Sequence, residues 1–150
     1  MLVEEYIQII EEEFSYLFTR YGFSVTYSEQ VKRYRYRAGI ESKICKMLFV
    51  REQGAGLIYL GPLSAPFLNE YSNQWIEIAN LLMYLTHQRI NWDMVNDYEG
   101  EARIRPIMKL IADKLEPFCN KVFEMFSSNE MIATWKPKYE QYIDQIFNEK

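Results

Sequence analysis

The chain holds one histidine and two cysteines, and these are the residue types with the widest chemical reach at neutral pH. His87 stands in Thr86-His87-Gln88-Arg89, and an imidazole there could act as a general base. A base needs an orienting acid and a group to activate. Asp93, Asp97 and Glu99 follow, none at a helical spacing that would orient the ring, and no Gly-x-Ser-x-Gly nucleophile turn occurs. His87 therefore reads as an exposed side chain near a helix C-terminus. Cys45 lies within a strand pattern and Cys119 follows Phe118 in an apolar helical phase. Both read as reduced, buried, small hydrophobes, because a thiolate nucleophile would want a helix N-terminus or a cationic pocket. Two cysteines make no disulfide framework, and neither sits at a metal-ligand spacing.

Carboxylates are plentiful but form no recognisable site. Glu11, Glu12 and Glu13 fall on a solvated helix face. Asp93, Asp97, Glu99 and Glu101 occupy an irregular segment, Asn91–Gly100 and just beyond, without the ligand order or central glycine of a calcium loop. No Glu-x-x-His pair is present for a two-metal bundle. Gln53-Gly54-Ala55-Gly56 resembles the opening of a dinucleotide loop, yet it precedes a strand where phosphate binding requires a helix start. No catalytic, cofactor-binding or metal-ligating residue is nominated, and the chain reads as non-enzymatic.

Charge is distributed unevenly. Lys32, Arg33, Arg35, Arg37, Lys43, Lys46 and Arg51 crowd one segment against Glu41 alone, which is seven of seventeen basic residues, and the net charge is −4. In a strand from Val31 to Ala38, Arg33, Arg35 and Arg37 line one face, with Tyr34 and Tyr36 on the other. Basic residues beside aromatics suit single-stranded nucleic acid. Here the rings face away from the charges, so a solvated strand that protects a sheet edge fits equally well. An acidic chain is also a poor general binder of polyanions.

The elements that carry these residues follow from periodicity. Val3, Tyr6, Ile7, Ile10, Phe14, Leu17, Phe18 and Tyr21 recur on one helical face, and Gly22 suits a left-handed helix end. The period then falls to two, through Phe23–Tyr27, Val31–Ala38, Ile44–Val50 and Leu57–Leu60, as in an antiparallel meander with a turn at Gln53–Gly56. Gly61, Pro62, Ser64 and Pro66 mark a loop. Trp75 to Leu85 reads as an apolar helix lying on the sheet. Ile104 to Phe126 holds one phase across Pro117, as a kinked helix or two helices in line. Pro137 opens a last helix through Tyr139, Tyr142, Ile143, Ile146 and Phe147. The predicted fold is α+β: an N-terminal helix, an antiparallel meander of about four strands, then three or four C-terminal helices on one face of the sheet. Residues 1–150 form one globular domain.

Hydrophobic residues at 49% and charged ones at 25% are ordinary for a globular chain, whereas twelve Tyr, nine Phe and three Trp are an aromatic excess. No stretch approaches the length of a membrane helix, and the acidic N-terminus is unlike a signal peptide, so a cytoplasmic protein without membrane or cofactor is expected. The order of elements, from the helix ending Tyr21-Gly22-Phe23 to Asn80-Leu81-Leu82-Met83-Tyr84-Leu85, resembles small bacterial cytosolic proteins of the toxin-immunity type. That resemblance covers about the first ninety residues as a pattern of elements and brings no site residues with it. It implies a protein that binds a toxin domain and blocks it without chemistry. Two functional readings result. One is a protein-binding module that presents Trp92, Tyr98 and Trp135; the other is a nucleic-acid-associated protein that uses Arg33, Arg35 and Arg37.

Overall fold

A computed structural model of the chain describes residues 1–32, 35–52 and 55–148. Its helical start is two helices, α1 (Val3–Glu13) and α2 (Ser15–Arg20), broken at Phe14. Phe14 nevertheless stays in phase: it is fully buried and meets Phe49 edge-on at 5.3 Å. Gly22 follows with φ 71°, the left-handed end expected from its lack of a side chain.

Strands β1 (Ser24–Lys32), β2 (Arg35–Glu41), β3 (Cys45–Glu52), β4 (Ala55–Pro62) and the short β5 (Ile76–Glu77) form an antiparallel sheet in sequential order. The predicted strand Val31–Ala38 is therefore divided between β1 and β2, where Lys32 pairs with Arg35. Nothing in Lys32-Arg33-Tyr34-Arg35 signals a turn, so the alternation runs through it unmarked. Arg33 and Tyr34 lie outside the described residues, as do Gln53 and Gly54 of the predicted glycine turn.

Helices α3 (Ile78–Thr86), α4 (Asp93–Asn96), α5 (Ile104–Leu115), α6 (Cys119–Met125) and α7 (Asn129–Asn148) complete the fold. In the Trp75–Leu85 segment, Ile76 and Glu77 form β5 and Trp75 precedes that strand, so the helix begins only at Ile78. Around Pro117 a single 3-10 turn (Glu116–Phe118) joins α5 to α6, which settles the sequence alternatives as two helices. Helix α7 starts eight residues before Pro137, with the Ser128 hydroxyl accepting from Met131 N at 3.0 Å.

The sheet has two different faces. Tyr36, Ala38 and Ile40 of β2, Cys45, Met47 and Phe49 of β3, and Ile58 and Leu60 of β4 point toward the helices and join one continuous core. Leu48 and Val50 point the other way, where the segment 63–75 lies over the sheet with Ala65, Phe67 and Trp75. No helix among the described residues is long and apolar enough to cross a membrane.

Candidate interaction surface

The basic strand is pinned by its own chain. Arg37 is 8% exposed; its guanidinium lies 2.5 Å from a Glu70 carboxylate oxygen and donates to the Leu68 carbonyl at 2.9 Å. Arg35 lies 3.5 Å from the other Glu70 oxygen and 3.6 Å from Glu52. Their strand is second in the sheet rather than an edge, and both arginines are turned under the 63–75 segment. The expected solvated basic face is thus, at Arg35 and Arg37, an internal ion cluster that clamps a strap. Aromatic rings continue the clamp: Tyr27 of β1 stacks on Phe67 of the strap at 5.4 Å, Phe67 on Trp75 at 6.0 Å, and Lys46 Nζ sits 4.6 Å from the Phe67 ring.

Trp135, proposed from sequence as a surface aromatic, is 7% exposed. It packs edge-on against Phe126 and donates from its indole nitrogen to the Met125 carbonyl at 2.7 Å. An indole that is both packed and hydrogen-bonded is core.

Trp92 and Tyr98 do reach the surface, at 37% and 45% exposure, on either side of the single turn α4. Val95 pins that turn at 2% exposure, the Asn91 side chain accepts from Asp93 N at 2.9 Å, and Arg103 donates to Asn96 at 2.7 Å. Met94, raised by the same turn, is 75% exposed. Met94, Val95 and Tyr98 form one wall of a groove of about 750 Å3, and Ala102, Pro106 and Leu110 form the facing wall. Trp92 lies instead against a separate, small hollow with Leu57 and Ile107. The groove's rim is charged with both signs: Arg105 meets Glu12 at 2.8 Å and Glu13 at 3.0 Å, and Lys109 meets Asp113 at 3.7 Å.

Sequence reading missed the facing wall. Ala102, Pro106, Leu110 and Lys114 are four residues apart, a second stripe beside the Ile104, Met108, Ile111 and Leu115 stripe that faces the core. A four-residue spacing with apolar members outside the core phase was the available signal.

The residues screened for chemistry sit as follows. His87 is exposed in the left-handed region (φ 54°) as the C-cap of α3, its ring edge-on to Tyr142 at 5.1 Å. Cys45 and Cys119 are free and fully buried, and burial pushes both thiols up to about 12. Among the described residues no group of three or more His, Cys, Asp or Glu is placed to hold a metal ion. No family model, curated protein or solved structure matches the chain.

Proposed function

We propose that this chain is a non-enzymatic protein-binding module that engages its partner through the α4–α5 groove, with Met94 and Tyr98 as the contacting side chains. The observation that carries this is Met94, 75% exposed on a rigidly anchored turn above an apolar groove. An unbranched thioether adapts to a partner's shape, and a large apolar patch left open on a folded chain marks an interaction site. The paired charges on the rim suit a mixed polar border around an apolar centre. Block of a toxin domain, as the immunity-type resemblance implies, is one activity such a surface would support.

Leu110→Glu places a charge on the groove wall and tests the reading. Complex formation in the producing cells, seen as elution at a larger size, is lost in that variant while its melting temperature stays near that of the parent. Retained complex formation with an unchanged fold rejects the groove as the binding surface. The volume also lies within the range of small-ligand pockets. A small apolar ligand would show itself as a low-mass species released on denaturation.

A further inference from the structure

Both walls of the α4–α5 groove are helical turns whose backbone is already bonded. On the α4 side, Val95 and Asn96 donate from their amides to the Trp92 carbonyl, and Tyr98 N donates to the Val95 carbonyl at 3.2 Å. The facing wall belongs to α5 and the turn before it, and no residue of a strand lines the groove among the described residues. An extended segment laid there would find no strand edge. Its own N–H and C=O groups would press on apolar walls without partners, which is costly. A helix bonds its backbone internally and offers only side chains. From Ala102 to Lys114 the wall runs about 18 Å at the helical rise, room for about three turns of a second helix. Its four-residue spacing makes a ridge of the kind that packs between the turns of such a helix.

Charge gives the groove a direction. Along its middle the rim is internally matched, Arg105 by Glu12 and Glu13 and Lys109 by Asp113. The two ends are not. At one end the chain joins the walls between Tyr98 and Ala102, and the exposed Asp97 and Glu99 flank Tyr98 there. At the other end stands Lys114, exposed in the last turn of α5. Among the described residues none of these three forms an ion pair. The apolar groove is therefore acidic at one end and basic at the other.

We propose that the partner enters this groove as an amphipathic α-helix antiparallel to α5, an inference that rests on the groove being the binding surface. Its first turn carries carboxylates beside Lys114, its last turn carries cations beside Asp97 and Glu99, and apolar side chains at the three-and-four spacing lie between the walls. Acidic first turns and basic last turns are also what a helix dipole favours, and the positive start of the partner helix then lies by the negative end of α5.

The test titrates the full chain with three labelled synthetic peptides of one composition, each of about 16 residues so that a helix can be populated, and reads fluorescence anisotropy. The first has leucines at the three-and-four spacing, glutamates in its first turn and lysines in its last. The second exchanges the two charged ends, and the third alternates leucine with polar residues as a strand would. The first binds most tightly, the second about fivefold more weakly, and the third not at all. Lys114→Glu removes the preference between the first two at unchanged melting temperature. Leu110→Glu abolishes binding, and Met94→Ala, at an exposed position, weakens it about tenfold. Tightest binding by the alternating peptide, or equal binding of the first two by the parent chain, would overturn the proposal. Absence of binding by all three overturns it as well. If complex formation in the producing cells is then still lost in Leu110→Glu, the groove stands without the helix; complex formation that survives Leu110→Glu removes both.

Discussion

Glu70 is a surface-type residue held at 5% exposure because Arg35 and Arg37 face it from the sheet. Removing the carboxylate leaves two guanidinium groups under the strap without their counter-charge. Glu70→Ala is therefore expected to cost about 3 kcal/mol in denaturant unfolding, far more than a surface pair would. The arginines' alternation with tyrosines was legible in the sequence; their partner was not, since Glu70 lies 33 residues beyond Arg37 in a loop without periodicity. Trp135 was misread for a local reason. Starting the last helix at Pro137 leaves Trp135 in a loop, whereas in α7 it shares a face with Tyr139, four residues on. Trp135→Ala is expected to cost about 3–5 kcal/mol by cavity formation and the loss of its bond to Met125. Unfolding curves check this, and a cost under 1 kcal/mol would return Trp135 to the surface. For the two cysteines, burial and raised thiol pKa values predict labelling by a polar reagent only as fast as the chain opens.

Among the elements, the strap over residues 63–75 depends on two glycines beneath it. A methyl group built on Gly39 would come within 2.5 Å of the Phe67 ring, and one on Gly61 would meet Trp75 and Ala65 at 2.9 Å. Gly39→Ala is expected to displace Phe67 and cost about 1–3 kcal/mol, with Trp75 fluorescence reporting the movement. An unchanged spectrum and stability would mean that the strap is not packed as described. Helix α1, the glycine end at Gly22, three of the strands and the helices flanking Pro117 follow from period and turn chemistry alone. Strand β5 does not, because Ile76 fits the helical stripe of α3 as well as it fits pairing with Leu60. The division between β1 and β2 is hidden for the opposite reason: the sequence Lys32-Arg33-Tyr34-Arg35 carries neither glycine nor proline. Side-chain direction survived that error, since Tyr36 still faces the core and Arg37 the strap.

At the scale of the whole molecule, burial shifts its weak acids in one direction. Cys45, Cys119, Tyr27, Tyr59 and Tyr139 are each raised to about 12, in every case chiefly by desolvation. Their unfolded counterparts start from 9.0 for the thiols and 10.0 for the phenols. Above about pH 9 the unfolded chain therefore binds fewer protons than the folded one, and stability falls as pH rises toward 12. Chemical unfolding at pH 8, 9, 10 and 11 is expected to show that decline; a flat profile contradicts the burial of these groups.

The central claim, that the α4–α5 groove receives a protein, is met most directly by a photoreactive diazirine side chain placed at position 94. Position 138, exposed on α7, serves as the control site. The account predicts one discrete protein adduct from position 94 in the producing cells, none from position 138, and loss of that adduct when Leu110→Glu is added to a chain of unchanged melting temperature. A nucleic-acid adduct from position 94, or equal protein labelling from both positions, would contradict it.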